Sequence, residues 1–289
     1  MTIRHLRVFL AVCESGTTVA AAEALRISQP SVSAAVTELE RFYGVRLFDR
    51  IGKRLHLTDA GSRFRQYTLH VVSLFDQMER EVRDSETMGV LRVGSSITIG
   101  KELLPGFLTR LKERYPALRA EVVVNNSDHV ERAVLENEID IGFVEGATRH
   151  EAIYREAFYR DRLVFLCHPG HAFAGKRGVP PEALAGEDFL YREKGSAGRE
   201  LADGLLAARG VQIRPLWQSI STQTIVSAVR AGLGVAVLPY LLVRDALGRG
   251  EVAAFEVEGI APERSFAIIR HRNKYVTRGM QALEEICRE

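Results

Sequence analysis

Apolar residues recur at helical spacing along the N-terminal third of the chain, then give way to short apolar runs separated by helical stretches. Leu6, Phe9, Leu10 and Cys13 fall on one face and predict a helix over Arg4–Cys13. Gly16-Thr17-Thr18 breaks the chain and re-caps it into a second helix, where Ala21, Ala22 and Leu25 make one small apolar face. Ile27 is buried at the turn that follows. Ser28 is a good N-cap, and Pro30 is tolerated because a first helical turn has no internal donor to lose. Val32, Val36 and Leu39 then form a single core-facing stripe. Ser31, Ser33, Ala34, Thr37 and Glu38 lie on the opposite face, which is small and polar and can approach another surface closely. Residues 20–40 therefore have the make-up of a helix-turn-helix, one face locked in a core and the other free for a DNA groove; the same residues also fit an ordinary helical hairpin.

Leu47 to Leu57 alternates about Gly52 and reads as a β-hairpin with a cationic tip of Arg50, Lys53 and Arg54. From Asp59 to about Thr87 there is no proline, and no glycine after Gly61. Phe64, Tyr67, Val71, Leu74 and Met78 follow 3-4-3-4 spacing on this long polar helix, with Val82 one step late. So narrow a seam on so long a helix points to a coiled coil with a partner chain, against the simpler reading of an amphipathic helix lying on its own domain.

Beyond Gly89 the pattern alternates. Strands are expected at Leu91–Gly94, Ala120–Val124, Ile139–Val144, Leu163–Cys167, Phe189–Tyr191, Gly234–Leu238 and Phe266–Ile269. Helices are expected at Leu103–Tyr115, Asp128–Glu136, Gly198–Arg209, Thr222–Ala231 and, after the Phe266–Ile269 strand, in a closing stretch that runs to Glu289. Alternating β and α predicts a parallel, doubly wound sheet.

Composition narrows the function. The 289 residues allow two or three domains, 46% apolar content supports full cores, and the net charge of +2 means that any role on DNA rests on local charge. Within residues 1–58, Arg4, Arg7, Arg26, Arg41, Arg46, Arg50, Lys53 and Arg54 outnumber Glu14, Glu23, Glu38, Glu40 and Asp49, with the excess at the hairpin. No secretory h-region follows the N-terminus, and no apolar run approaches the roughly 18 residues of a membrane span. Cys13, Cys167 and Cys287 are scattered, as in reduced cytoplasmic proteins. His168 and His171 lack a third ligand nearby, so no metal or other cofactor is expected. No nucleophile elbow and no Walker A loop appears, which argues against an enzyme.

Ligands of open α/β sheets bind where strands end and helices begin. Four hydroxyl- or amide-bearing strand ends stand out: Gly94–Gly100, Asn126-Ser127, Arg192–Arg199 and Ser221-Thr222. Each is also an ordinary N-cap, but together they suggest a polar cleft whose helix N-termini would receive an anion. Few cations appear within its reach.

The N-terminal sixty or so residues closely resemble the LysR-type transcriptional regulators. The match rests on Leu6, Phe9, Ala21-Ala22, Ser28-Gln-Pro-Ser-Val-Ser33, Leu39-Glu40, Gly44, Leu47-Phe48-Asp-Arg50 and Leu57-Thr-Asp-Ala-Gly61. The resemblance implies an α/β protein with an N-terminal winged helix-turn-helix (1–58), a linker and dimerisation helix (59–88) and an effector-binding domain (89–289). The last would be a periplasmic-binding-protein-like pair of Rossmann-like subdomains, one about 91–161 plus 267–289, the other about 162–266. It implies a cytoplasmic homodimer or homotetramer that binds operator DNA and a small effector and meets RNA polymerase. DNA contacts would come from Gln29, Ser31, Ser33, Ala34, Thr37, Arg50, Lys53 and Arg54. Effector contacts would come from Ser95, Ser96, Thr98, Asn126, Glu145, Ser196 and Thr222, and the dimer seam from Phe64, Tyr67, Val71, Leu74 and Met78. The Gly94–Gly100 run, Phe143–Gly146 and Glu193–Arg199 are similar to a subgroup tied to sulfur metabolism, which implies a small anionic effector. Ala20 and Ala34 depart from the family, where longer polar residues are common, and shift readout toward Ser33, Thr37, the wing and DNA shape. The competing reading is a cytoplasmic binding protein or enzyme of the same fold that uses its N-terminal domain for assembly.

Overall fold

The structure is a computed structural model that describes residues 1–52, 54–83, 89–148 and 150–289. Lys53, the side chain of Val82 and the expected linker boundary at 84–88 lie outside the described residues. The chain divides into two compact units, Met1–Gly89 with 135–137 and 273–275, and the remainder.

The N-terminal unit holds α1 (Ile3–Ser15), α2 (Thr18–Leu25), α3 (Gln29–Tyr43), the hairpin β1 (Phe48–Ile51) and β2 (Arg54–Leu57), and α4 (Asp59–Arg83). Its boundaries follow from local chemistry. Gly16 ends α1 at φ +68°, Thr17 accepts the Ala20 N–H, and Ser28 accepts the Ser31 N–H. Thr58 Oγ1 accepts the Gly61 N–H at 2.9 Å and so starts α4. A side chain at Gly61 would strike the Leu47 carbonyl, which explains a glycine inside the first turn of a helix. Glu40 Oε1 accepts the N–H groups of Leu47 (2.8 Å) and Phe48 (3.2 Å) and ties α3 to the hairpin.

Phe9, Val12, Val32 and Leu39 form the core here, and each buried side chain of this size contributes about 1.5–3 kcal/mol. One expectation is corrected at this point. Phe64, expected in the seam, packs into the core of its own unit, with its ring 4.9 Å from Phe9 and 5.1 Å from Tyr43. It sits where α4 still rests on α1, and spacing alone does not say what covers an apolar residue. Tyr67, Val71, Leu74 and Met78, farther along, are exposed.

The second unit contains β3 (Val90–Ser96), α5 (Ile97–Glu102), α6 (Leu104–Arg114), β4 (Arg119–Asn125), α7 (Ser127–Leu135), β5 (Ile141–Glu145) and β6 (Ile153–Cys167). It continues with β7 (Phe189–Arg192), α8 (Ala197–Ala207), β8 (Pro215–Ser219), α9 (Thr222–Arg230), β9 (Ala236–Pro239) and α10 (Tyr240–Gly248). It closes with β10 (Ala253–Phe255), β11 (Glu263–His271) and α11 (Arg278–Arg288). The main sheet runs β10-β6-β11-β5-β3-β4, with β9 also on β6, and β7 pairs with β8.

The sheet is mixed rather than purely parallel. β3 is parallel to β4 and β5, but β11 is antiparallel to both β5 and β6. The reason is that β6 and β11 pass in opposite directions between two subdomains, and a returning strand beside an outgoing one must be antiparallel. β6 is 15 residues long, three times the apolar run that marks its second half, because its first half alternates with exposed residues. Helical structure also begins at Ile97, earlier than expected, and restarts at Leu104 with Pro105 in its first turn. Pro239 ends β9 as expected, yet it also serves as N-cap to α10, a helix with no counterpart in the sequence reading; β8 and β10 were likewise not anticipated.

Candidate functional site

On the N-terminal unit, the Val32–Val36–Leu39 stripe is buried, and this turns Gln29, Ser31, Ala34 and Thr37 outward, with Ser33 half-buried beside them. Gln29 Nε2 donates to Thr18 Oγ1 (3.0 Å) and Ser33 Oγ (2.8 Å), so the face is held in place before anything binds it. A groove of about 660 Å³ runs along Ser33, Ala34, Thr37, Glu38, Arg41 and Phe42. Arg41 and the 63% exposed Phe42 were missed, although Arg41 and Phe42 follow the polar face by one turn. In the hairpin Arg50 pairs in register with Leu55 and Ile51 with Arg54. Arg50 and Arg54 are exposed and make no ion pair among the described residues. Exposed guanidinium groups of this kind are free for an external anion.

In the second unit the strand-end residues do converge, but mostly on one another. Ser96 Oγ donates to Glu145 Oε1 at 2.7 Å, and the Thr98 N–H donates to the same oxygen at 3.2 Å. Glu145 Oε2 accepts from Arg264 Nη1. Arg264 also gives Nη2 (2.6 Å) and Nε (3.0 Å) to Asp161 Oδ2, and Nη2 to Thr98 Oγ1 (3.3 Å). Arg264 and Asp161 are direct partners across the β6–β11 pair, so this cluster sits on the crossover strands. Burial raises the pKa of Glu145, but Arg264, the Ser96 and Thr98 donors and the nearby Arg192 outweigh it and hold the carboxyl below its usual range.

Across the cleft, Arg192 is buried and grips Glu193 through Nε (2.8 Å) and Nη2 (3.0 Å), while Nη1 donates to Thr222 Oγ1 at 3.1 Å. Asn126 caps α7 by accepting the His129 N–H, and its Nδ2 reaches Glu193 Oε1 at 3.3 Å. The Asp128 N–H donates to the Gly195 carbonyl at 3.4 Å. Gly195 has φ +85°, and a Cβ there would come within 3.1 Å of the Asp128 Cβ, so the touching edges of the two subdomains require glycine. Ser196 caps α8 by position but makes no side-chain cap bond, which leaves the first-turn N–H groups of α8 without that acceptor.

Two expectations change. Ser95 is fully buried, packs near Gly100 and donates to the Ser96 carbonyl at 3.1 Å. Alternation along β3 turns it away from the cleft that Ser96 faces. Cations are also not scarce, since Arg155, Arg192 and Arg264 all lie here. Arg264 is buried between the more exposed Glu263 and Ser265, but Phe266 to Ile269 are buried without a break, so no alternation along β11 marked it in the sequence. Beside the cluster lies a cavity of about 570 Å³ whose lining includes Gly146, Arg155, Ala197, Glu200, Arg264 and Ser265. Arg155 Nη2 donates to the Gly146 carbonyl (3.0 Å) and Ser265 Oγ (2.6 Å), while its Nε is buried with no hydrogen-bond partner.

Asp140, the other carboxylate near β5, pairs with Arg92 at 2.7 Å and takes no part. Burial pushes the thiols of Cys13 and Cys287 up to about 12 and that of Cys167 up to about 11, so none is a ready nucleophile at neutral pH. Among the described residues no group of three His, Cys, Asp or Glu side chains is placed to hold a metal ion, and no helix is long and apolar enough to cross a membrane.

Comparison with known proteins places both units. Residues 3–62 match the family model described as bacterial regulatory helix-turn-helix protein, lysR family, and residues 84–289 match LysR substrate binding domain. The HTH-type transcriptional regulator YeiE of Escherichia coli strain K12 is 35% identical over 99% of this chain and 97% of its own length. The regulator CysL of Bacillus subtilis strain 168 is 31% identical over 91% of this chain and 89% of its own. A full-length OxyR from Pseudomonas aeruginosa shares the fold with a TM-score of 0.70 at 22% identity, over 100% of this chain and 95% of that one.

Proposed function

The chain belongs to the LysR family of bacterial helix-turn-helix regulators, and from that premise we propose which of its surfaces read DNA and which read the effector. It is a transcription regulator with a DNA-binding unit and an effector-binding unit, not an enzyme. The N-terminal unit acts in the cytoplasm on operator DNA. Gln29, Ser31, Ser33, Ala34 and Thr37 approach base edges in the major groove, and Arg50, Lys53 and Arg54 hold phosphates. Arg41 joins the phosphate contacts from the end of α3. Two copies assemble through the exposed stripe of α4, and the bound oligomer meets RNA polymerase. The observation that carries this reading is the small polar face of α3, held rigid by the Gln29 bonds beside unpaired wing arginines.

Replacing Arg50 and Arg54 by Ala is expected to weaken binding to all sequences alike and to reduce the slope of log affinity against log salt by roughly one to two units. Fluorescence anisotropy at several salt concentrations measures this. An unchanged slope removes the wing from the interface.

The effector is a small anion, a carboxylate or an oxyanion, in the cleft between the two α/β subdomains. Arg155, whose cationic side chain lines the cavity, supports this, as do the uncapped N–H groups of α8. Ser196 would orient the ligand, Thr98 would act through Glu145 and Arg264, which it already contacts, and Asn126, Glu193 and Thr222 close the edge. A ligand that favours one hinge angle shifts the oligomer between DNA-bound states. A thermal-shift screen of small carboxylates and of oxyanions, including sulfur oxyanions, identifies it, because a ligand at 100 times its Kd stabilises by about 2.7 kcal/mol. Ser196→Ala and Arg155→Met are each expected to weaken that ligand by about 1–3 kcal/mol and leave ligand-free DNA binding intact. Equal calorimetric affinity in both variants moves the site elsewhere.

A further inference from the structure

The half of the cleft that looks most like an anion site is already filled. The Ser96 hydroxyl, the Thr98 amide and the Arg264 guanidinium would together bind an external carboxylate well, and all three bind Glu145 instead. Glu145 comes from the end of β5, is only 6% exposed, and is held below the usual carboxylate range despite its burial.

We propose that Glu145 is a built-in anion that occupies the first subdomain's cradle, so that the effector brings one anionic group into the cleft and not two. The inference deepens the effector reading above and rests on it only for where the ligand sits. Two acids, Glu145 and Asp161, both pair with Arg264, so the guanidinium is already shared between two built-in carboxylates. A second external anion at Ser96 and Thr98 would add charge where water is nearly excluded and would find its donors already used. The group that the effector does bring goes to the neighbouring cavity, which Arg155 lines beside Arg264. Glu145 is thus a specificity-determining residue: it makes the cleft select monoanions over dianions.

Chemical rescue tests this in the full-length protein. Glu145→Ala removes the atoms of one acetate ion and frees the Ser96 and Thr98 donors. The Tm of this variant is expected to fall and then to rise saturably with sodium acetate, relative to sodium chloride at equal ionic strength. Wild type, whose cradle is full, should show no such rise, nor should Glu145→Gln, whose side chain still fills the space. A Glu145→Ala protein that acetate stabilises no more than chloride overturns the proposal. So does wild type that malonate stabilises saturably where acetate does not.

Should Glu145→Ala fail to fold, the Tm difference between wild type and Glu145→Gln is measured from neutral to acid pH. A charged Glu145 contributes stability that is present above its unfolded pKa and is lost as pH falls through its lowered folded pKa. The difference should therefore shrink in acid, and a difference that stays flat overturns the proposal. Failure of the regulator reading would appear separately, as wild type that does not bind DNA, and would leave the rescue result unaffected.

Discussion

Arg264→Ala is expected to lower folding stability by about 3–5 kcal/mol, the cost of removing one partner from a buried charge pair. The substitution strands Glu145 and Asp161, both buried, and leaves a gap under Phe266, whose ring the guanidinium covers at 5.1 Å. Two like charges would then share a nearly dry site. The pH dependence separates this from simple loss of packing. In wild type Glu145 is held below its usual range, so its stabilising contribution exists above its unfolded pKa and disappears as pH falls through the folded value. In the variant the stranded Glu145, buried and without its guanidinium, gains from protonation instead. The deficit against wild type should therefore be largest near neutral pH and shrink in acid. Urea denaturation of the full chain across pH measures both. A deficit below about 1 kcal/mol, or one that does not change with pH, would mean that Arg264 is not the hub of the cluster.

Leu74→Glu is expected to leave each protomer folded and to abolish tight operator binding. Leu74 is 46% exposed in the single chain, so the substitution costs a protomer little. In a coiled coil formed by α4, however, it would place two carboxylates against each other in a desolvated seam with Tyr67, Val71 and Met78. Losing the pairing removes the effective concentration that joins two half-site contacts, and this weakens binding about 100- to 10,000-fold. Sedimentation should show a smaller species with an unchanged circular dichroism spectrum. A variant that sediments and binds DNA as wild type does would show that the exposed stripe has another occupant.

Much of the N-terminal unit could be read from the chain alone, because each of its decisions is local. Gly16, Thr17, Ser28 and Thr58 act within one helical turn, and the Val32–Val36–Leu39 period states which side of α3 faces inward. The same holds for Gln29, Ser31, Ala34 and Thr37, which are outward by subtraction. Phe64 shows where this logic stops: a 3-4 spacing identifies an apolar stripe but not whether its own chain or another covers it.

The cleft divides the same way. Ser96, Thr98, Asn126, Ser196 and Thr222 are legible because hydroxyls and amides at strand-to-helix turns announce themselves in sequence. What these residues bind is not legible, because the partners come from distant strands. Arg264 meets Glu145 across 119 positions and Asp161 across 103, and Asn126 meets Glu193 across 67. By itself, then, the sequence determined the family, the helix-turn-helix surface and the strand ends that could face a ligand, since periodicity and capping are properties of neighbouring residues. Only the tertiary structure decided that the crossover strands run antiparallel, that three arginines reach the cleft, and that Glu145 takes the donors of Ser96, Thr98 and Arg264. Charges separated by more than a hundred residues meet only where the sheet's strand order brings them together.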